Sequence, residues 1–277
     1  NGETFLKDAI DSVFQQTYDN WEIIFFDNSS TDSSKEIACS YGDKVTYICS
    51  TELLPLGSAR KEAVKHAKGE WICFLDADDF WYPDKLSAQT SLAFNDSVAL
   101  IYNGIDVVDF AGVTISRYQP RSRSGKVLDC LLNHFDINMV TPMINRQFIV
   151  DNEITFNEKI YASEEYNLFL RIAAKGNVKS GPDILGAYRV YEGSLTDKKM
   201  DKWAVDRLIT LRQLNKENRD LMLFSNASFI RARAHARYYS ARYYMSVGNV
   251  RKAKSRLLTI RDHRPIYYFL WFVAHSP

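Results

Sequence analysis

Short apolar runs and stretches of helical period alternate along the first hundred residues of the chain. The helical patterns cover residues 5–14, 31–42, 58–68 and 83–94. The apolar runs, which are typical of buried strands, lie at residues 21–26, 45–49 and 71–75. Because strands and helices alternate, we predict an α/β fold in which parallel strands are joined by helical crossovers.

The pattern changes after residue 98, and again after residue 195. The strands predicted between these points lie at residues 100–110, 113–118, 139–144 and 184–191, and the helices at residues 128–132 and 163–176. After residue 195 every predicted element is helical, at residues 198–218, 227–247, 250–260 and 266–273. We therefore predict a mixed, mostly parallel sheet flanked by helices in residues 1–196, followed by an all-helical extension in residues 197–277. Because such sheets usually begin on a central strand and this chain begins on a helix, we expect a strand to precede Asn1 in the full protein.

Three carboxylates follow the apolar run at residues 71–75 without a break: Asp76, Asp78 and Asp79. Acids at the end of a buried strand lie at the carboxyl edge of the sheet, where open α/β sheets bind ligands. Carboxylates this close repel one another unless a cation lies between them, and Mg²⁺ accepts one or two carboxylates together with phosphate oxygens. The simpler alternative is a polar strand end in which Asp79 caps the following helix.

The overall composition is that of an ordinary globular protein, with 46% hydrophobic and 25% charged residues. No apolar run approaches the roughly 20 residues that a membrane-spanning helix needs. The four cysteines, Cys39, Cys49, Cys73 and Cys130, are far apart, and the first three lie in apolar or helical patterns. This spacing predicts buried, reduced thiols in a reducing compartment, and it argues against a zinc site.

The C-terminal helices are strongly basic. Between Arg231 and Arg264 the sequence has ten Lys or Arg residues and one acid, Asp262, although the whole chain has a net charge of only +1. Such a segment can lie on an anionic membrane or hold a lipid diphosphate. It can equally be a helical hairpin with a solvated basic face. No nucleic-acid recognition motif accompanies the charge, so we expect no nucleic-acid partner.

Five blocks occur in a set order within residues 1–196, and each block alone would be weak evidence. They are residues 9–32, 56–63, 67–86, 163–176 and 188–196. Together they resemble the inverting family-2 glycosyltransferases of the GT-A fold. Two features depart from the family pattern: its opening strand and nucleotide loop are cut to Asn1-Gly2-Glu3, and its Glu-Asp pair is Glu164-Glu165 here.

The resemblance implies a donor site built from four residues. Asp27, at a strand end, matches the aspartate that contacts the nucleotide base, and Arg60 matches an arginine near that base. Asp76 matches the acid directed to the ribose or to metal-bound water, and Asp78 matches the direct ligand of a Mn²⁺ or Mg²⁺ ion.

The resemblance also implies catalytic and substrate contacts. Glu165 matches the base that deprotonates the acceptor hydroxyl, although a glutamate reaches one methylene further than the family's aspartate, and the first helical turn favours its ionised form. Glu164 is the alternative base or an acceptor contact. Arg189 follows a strand and is expected near the diphosphate or at the core edge, and Arg171 is expected to be structural or an acceptor contact.

The function implied is metal-dependent, inverting transfer of a sugar from a nucleotide sugar, expected to be a UDP-sugar, to a hydroxyl of a glycan or lipid-linked acceptor. The expected location is the cytoplasm or the inner face of the cell membrane, with peripheral contact through the basic helices. Two alternatives remain open at this point: a sugar nucleotidyltransferase, and an inactive nucleotide-sugar-binding protein.

Overall fold

The computed structural model describes residues 1–93, 97–121, 124–192, 199–218, 220–263 and 265–275. These residues form two compact units. The first contains Asn1–Val127, Asp136–Glu158 and Arg171–Glu192, and the second contains Leu128–Phe135, Lys159–Leu170 and the described residues from 199 onward. The predicted domain boundary between residues 196 and 197 lies outside the described residues.

The elements follow the predicted order closely. The described strands are β1 Ile23–Asp27, β2 Val45–Cys49, β3 Trp71–Cys73, β4 Phe80–Trp81, β5 Val98–Val108, β6 Thr114–Tyr118, β7 Ser124–Gly125, β8 Met143–Asn145 and β9 Asn177–Arg189. The described α-helices are α1 Leu6–Phe14, α2 Ser34–Cys39, α3 Leu56–Val64, α4 Lys85–Ala93, α5 Leu128–Asn133, α6 Arg146–Asp151, α7 Glu164–Lys175, α8 Met200–Glu217, α9 Leu221–Ser246, α10 Val250–Leu258 and α11 Pro265–His275. Single 3₁₀ turns lie at Gly42–Lys44 and Arg261–His263.

The first unit contains a mixed sheet, as predicted. Strands β1 and β2 pair in parallel, and a second sheet has the order β3-β8-β5-β9-β4, with β6 beside β5 and β7 beside β9. Within this second sheet the β5–β9 pair is parallel and the other described pairs are antiparallel. Parallel pairings are therefore fewer than the alternating pattern of the first hundred residues predicts, because β8 and β4 return to the sheet in the opposite direction. Strand β5 is buried at every position, as expected for the centre of a sheet covered on both faces.

An apolar cleft of about 710 Å³ separates β1 from β3 in the first unit. Its walls include residues of β1 and β3 as well as of α1 and α3. Among the described strands, β1 pairs only with β2, and β3 pairs only with β8, so each has an edge without a neighbour. A strand in this cleft would complete both ladders, but the expectation that one precedes Asn1 stays a prediction.

The second unit is helical around a small core. That core is formed by apolar side chains of α9, α10, α11 and the segment after α10: Ala234, Ala241, Leu257, Ile260 and Tyr267. Helices α8 and α9 pack against each other, and the short connection between them makes them antiparallel neighbours. No helix within the described residues is long and apolar enough to cross a membrane.

The prediction of buried thiols is wrong for most of the cysteines. Cys39, Cys49 and Cys130 are exposed and Cys73 is partly buried, all four as free thiols. Cys39 ends its helix, and Cys49 ends an edge strand, so each lies where the apolar pattern meets solvent.

Candidate active site

The acid run, residues 76–79, forms a tight turn that joins β3 to β4 and is called the acid turn below. Strand β3 ends at Cys73 rather than at Leu75, and of its three residues only Ile72 is buried. The prediction of a strand buried along its length is therefore wrong, and the acids begin three residues beyond its end. The Asp79 amide donates to the Asp76 carbonyl at 3.1 Å, which turns the chain so that β4 can pair antiparallel with β9.

Arg60 of α3 donates to both carboxylate oxygens of Asp76. Its Nη2 lies 2.6 Å from Oδ1 and 2.8 Å from Oδ2 of Asp76. Arg60 is buried, whereas Asp76 is partly exposed. A guanidinium holds a carboxylate in one orientation more firmly than a lysine would. The two residues that sequence reasoning placed near the nucleotide are thus in direct contact.

Asp78 is partly buried beside a tyrosine and an arginine from the end of β9. The Tyr191 hydroxyl donates to Asp78 Oδ2 at 3.0 Å, and Arg189 Nε donates to the Asp78 carbonyl at 2.9 Å. Burial and then the charge of Asp76 raise the pKa of Asp78, and the Tyr191 hydrogen bond opposes this only in part. Burial, followed by the charge of Asp78, raises the pKa of Tyr191 to about 12. The Asp78 carboxylate is therefore a site where a positive charge would be strongly favoured.

Asp79 does not cap a helix, so that prediction is wrong. Its side chain is only 2% exposed, and its Oδ1 accepts the Arg189 amide at 2.9 Å, while α4 begins six residues later at Lys85. Burial, followed by the charge of Asp76, raises the pKa of Asp79 to about 9. The carboxyl group instead joins the acid turn to the end of β9.

Arg189, the last residue of β9, contacts the backbone of the acid turn. Its guanidinium is buried, donates to the carbonyls of Asp78 and Phe110 at 2.9 and 2.7 Å, and lies over the Phe5 ring with 4.2 Å to the centroid. The pairing of Phe80 with Ala187 across β4 and β9 brings these residues beside the acids. Of the two sequence-based alternatives, these contacts match the core-edge arginine, and the diphosphate contact stays a prediction.

Asp27 ends β1 and is held by residues on both sides of it. The Ser30 amide donates to its Oδ1 at 2.8 Å, and the Tyr47 hydroxyl donates to its Oδ2 at 2.7 Å. Burial opposes ionisation, but these hydrogen bonds outweigh it and lower the pKa of Asp27. Each oxygen keeps a second lone pair, so the carboxylate can accept a further N–H.

The first residues of the chain lie against the loop that follows Asp27. The Thr31 amide donates to Asn1 Oδ1 at 2.8 Å, and the Ser33 amide donates to Glu3 Oε2 at 3.0 Å. In return, the Glu3 amide donates to Asp32 Oδ2 at 3.0 Å. The segment Asn1-Gly2-Glu3, which resembles the end of a nucleotide loop, is therefore held beside the strand end that carries Asp27.

Glu164 and Glu165 belong to the second unit, in the first turn of α7. Glu164 is buried and Glu165 is partly buried. The preceding segment is held by Asp206 of α8, whose Oδ2 accepts the amides of Tyr161 at 3.0 Å and Ala162 at 2.7 Å. Asn167 donates to Thr210 at 3.1 Å and to Gln213 at 2.9 Å, also on α8. The C-terminal extension thus sets the position of the glutamate pair.

Arg171, further along α7, lies in the first unit. It is buried, and its Nη1 donates to the Thr155 carbonyl at 2.7 Å. This contact matches the structural alternative for Arg171, and its role as an acceptor contact stays a prediction.

Replacing Asp206 with alanine is expected to destabilise the second unit by about 1–3 kcal/mol, because two backbone amides lose their acceptor. Burial raises the pKa of Asp206, so its charge is costly, and Asp206→Asn should recover part of the loss by keeping an acceptor oxygen. Asp201→Ala, at an exposed position on the same helix, is the control and should change stability by less than about 0.5 kcal/mol. Urea denaturation midpoints measure this, and equal midpoints for the two alanine variants would contradict the anchoring role.

Sequence reasoning missed Tyr47, Tyr191 and Asp206. Tyr47 was within reach of the strand pattern. Phe25 lies two residues before Asp27 on β1, so the two side chains share a face of the strand, and Tyr47 of β2 is the register partner of Phe25. Tyr191 lies in the block of residues 188–196, two positions after Arg189, which is the residue that the family resemblance indicates there. Nothing local distinguishes Asp206, since it is one of many acids on predicted helices.

The mixed sheet flanked by helices, with the acid turn at the end of β3, is typical of α/β proteins of the GT-A class. The family model of glycosyl transferase family 2 matches residues 1–159. The chain therefore belongs to glycosyl transferase family 2.

Curated relatives of the chain are bacterial glycosyltransferases. An uncharacterized glycosyltransferase of Rickettsia typhi is 30% identical over 73% of this chain and 65% of its own length. The chain thus spans slightly less than two thirds of that relative. The Escherichia coli UDP-Glc:alpha-D-GlcNAc-diphosphoundecaprenol beta-1,3-glucosyltransferase WfgD is 26% identical over 72% of this chain and 77% of its length.

Solved structures share the fold at low sequence identity. Staphylococcus aureus TarS 1–349 in complex with UDP has a TM-score of 0.60 at 16% identity, over 95% of this chain and 89% of that one. The Pyrobaculum calidifontis mannosyltransferase PcManGT, in complex with GDP-Man and Mn²⁺, has a TM-score of 0.58 at 15% identity, over 99% of this chain and 81% of that one. These similarities confirm the predicted GT-A fold.

Proposed function

We propose that the protein is a metal-dependent, inverting glycosyltransferase that moves a sugar from a UDP-sugar to a hydroxyl of a glycan or lipid-linked acceptor. The observation that carries the proposal is the acid turn, in which Asp76 is bound by Arg60 while Asp78 stays partly exposed with a raised pKa. The family match covers this turn. WfgD is named as a UDP-Glc transferase and TarS was solved in complex with UDP, and both favour a uridine nucleotide here.

The donor nucleotide is proposed to bind along Asp27, Arg60 and Asp76. Asp27 is held ionised by two hydrogen bonds and can accept the ring N–H of a uracil. Arg60 keeps Asp76 in one orientation, so that its partly exposed carboxylate can accept a ribose hydroxyl. Both aspartates follow strands of the first unit, at the kind of sheet edge where α/β folds bind nucleotides.

The donor set fits a hard divalent cation that arrives with a diphosphate. Within the described part of the chain, no three acidic, histidine or cysteine side chains are placed to hold a metal by themselves. Mg²⁺ and Mn²⁺ at phosphate sites take one or two carboxylates and complete their shell with phosphate and water oxygens. Asp78, with Asp76 nearby, would hold Mn²⁺ or Mg²⁺, which when bound supplies Lewis-acid stabilisation of the departing diphosphate.

Glu165 is proposed to act as the base, with Glu164 as the alternative or an acceptor contact. The base removes the proton from the acceptor hydroxyl as its oxygen attacks the anomeric carbon on the face opposite the diphosphate. A single displacement of this kind inverts the anomeric centre. Support comes from the partial burial of Glu165 in the first turn of α7 and from the anchoring of the preceding segment by Asp206.

The acceptor is proposed to be lipid-linked, since WfgD is named for a diphosphoundecaprenol acceptor. Such an acceptor would bring the enzyme to the inner face of the cell membrane. The basic α9 and α10 would then supply peripheral contact with anionic lipid.

A panel of nucleotide sugars with and without Mn²⁺ tests the proposal. We expect Mn²⁺-stimulated release of a nucleoside diphosphate from one UDP-sugar, at a slow rate without acceptor and at a faster rate with a glycan or lipid-linked acceptor. NMR of the product should show inversion at the anomeric carbon. Release of pyrophosphate from a nucleoside triphosphate would instead indicate the nucleotidyltransferase, and no turnover with measurable donor binding would indicate an inactive binding protein. The family match favours neither alternative.

A further inference from the structure

Two helices of the second unit form a basic pocket to which the proposed function above assigns no residue. The pocket has a volume of about 260 Å³ and is lined by Leu208 and Arg212 of α8 and by Arg233 and Arg237 of α9. On each helix the two lining residues are four positions apart, so they lie one turn above each other on the same face. The three arginines therefore line one space because α8 and α9 pack together, with Arg233 partly buried and Arg212 and Arg237 exposed.

Within the part of the chain that the structure describes, no acidic side chain neutralises the charge of this pocket. Among the described residues, no carboxylate forms an ion pair with Arg212, Arg233 or Arg237. The nearby acids of α8 have other contacts, since Asp206 accepts backbone amides and Glu217 accepts the Gln213 amide. Three positively charged side chains line one small space, so an anion bound there would be attracted to all three.

Other arginines of the same hairpin show how an arginine without an anion is accommodated here. Arg207 lies between the rings of Tyr166 and Tyr239, at 4.3 and 4.5 Å from their centroids. Arg242 lies 5.8 Å from the Tyr239 centroid. Among the described residues, none of the three pocket arginines lies over an aromatic ring in this way. Arg212 and Arg237 are exposed and Arg233 is partly buried, so a ligand can reach them.

We propose that the pocket formed by Arg212, Arg233 and Arg237 binds a phosphate or diphosphate group. Guanidinium donors match the geometry of phosphate oxygens, and charge-assisted bonds of this kind are strong. A water molecule occupies roughly 30 Å³ in the liquid, so the pocket has room for several waters or for one diphosphate group. The group can come from a lipid-linked diphosphate or from a free anion. Only the first source rests on the proposed function.

Titration of the full chain with inorganic pyrophosphate in EDTA tests the binding. Chelation removes the divalent cation through which the acid turn would hold a diphosphate. We expect calorimetric affinity to fall at least tenfold in the double variant Arg233→Gln, Arg237→Gln, and at least threefold in Arg212→Gln. The control is Arg231→Gln, an exposed arginine two positions from Arg233 and so on another face of α9. Unchanged affinity in the folded single and double variants would overturn the proposal.

Vesicle binding distinguishes the source of the group. One set of vesicles is made of neutral lipid with added polyprenyl diphosphate. The second set is made of the same neutral lipid with enough phosphatidylglycerol to give an equal negative charge. A preference for the first set that is lost in the double variant supports a lipid-linked diphosphate, and binding of soluble pyrophosphate alone supports a free anion. If both sets of vesicles bound equally, and if Arg231→Gln weakened binding as much as the double variant did, the attraction would be diffuse. That result would overturn the proposed binding pocket. Donor hydrolysis assayed in parallel reports on the proposed function separately, and we expect the pocket variants to retain it.

Discussion

Replacing Asp78 with asparagine is expected to lower sugar transfer about a thousandfold, on the order of 4 kcal/mol in activation free energy. The amide nearly keeps the shape of the carboxylate and can still accept the Tyr191 hydroxyl. It lacks the negative charge that makes a carboxylate a strong ligand for a divalent cation. Because burial and Asp76 raise the pKa of Asp78, removing its charge should leave the fold as stable or slightly more stable.

The measurement is the Mn²⁺ dependence of donor affinity and of turnover in the same protein. Asp43→Asn is a matched control, since Asp43 is exposed in a 3₁₀ turn of the same unit, and it should behave as the parent protein. Tyr191→Phe removes one hydrogen bond to Asp78 and should produce an intermediate loss, about tenfold. If Asp78→Asn kept the Mn²⁺ dependence of the parent, Asp78 would not be the metal ligand.

Replacing Glu165 with glutamine is expected to abolish transfer while leaving donor binding intact. General-base catalysis contributes about 10²- to 10⁴-fold, and a glutamine of the same length cannot take up the acceptor proton. The slow hydrolysis of the donor should fall as well, because water must also lose a proton to attack. Glu164→Gln should cost less than Glu165→Gln if Glu164 only contacts the acceptor.

Two measurements separate the base from an acid that merely complements a helix dipole. Donor affinity by calorimetry should stay within about twofold, and turnover with saturating acceptor should fall to background. Glu36→Gln is the control, since Glu36 is an exposed acid in the first turn of α2, where the dipole contribution is about 0.3–1 kcal/mol. Full activity in Glu165→Gln would transfer the role to Glu164 or to another group.

Elements with a strong local period were predictable from the sequence. Strand β2 lies at Val45–Cys49 as predicted, and α7 begins and ends within one residue of its predicted limits. The signal for β2 is a short apolar run, and the signal for α7 is apolar side chains at helical spacing, bounded by acids at the start of the helix and a glycine after its end. The acid run and the family membership were also readable, because both depend on residue types in a set order.

Features that depend on distant partners were not predictable in this way. Strand β3 ends at Cys73 because its partner β8, which lies about seventy residues further along the chain, has only three residues to pair with it. Asp79 faces the end of β9 instead of capping a helix because β4 pairs with β9. Neither pairing leaves a local signal in the sequence.

The sequence by itself determined which side chains are available for chemistry: an acid run after an apolar strand, a glutamate pair at a helix start, and a surplus of arginines in the tail. The tertiary structure alone decided how these groups are held, with Arg60 on Asp76, Tyr191 on Asp78, and three arginines around one pocket. The physical reason is range. Helical and strand periods act over a few residues, whereas a hydrogen bond or an ion pair depends on which distant segments the packed core brings together.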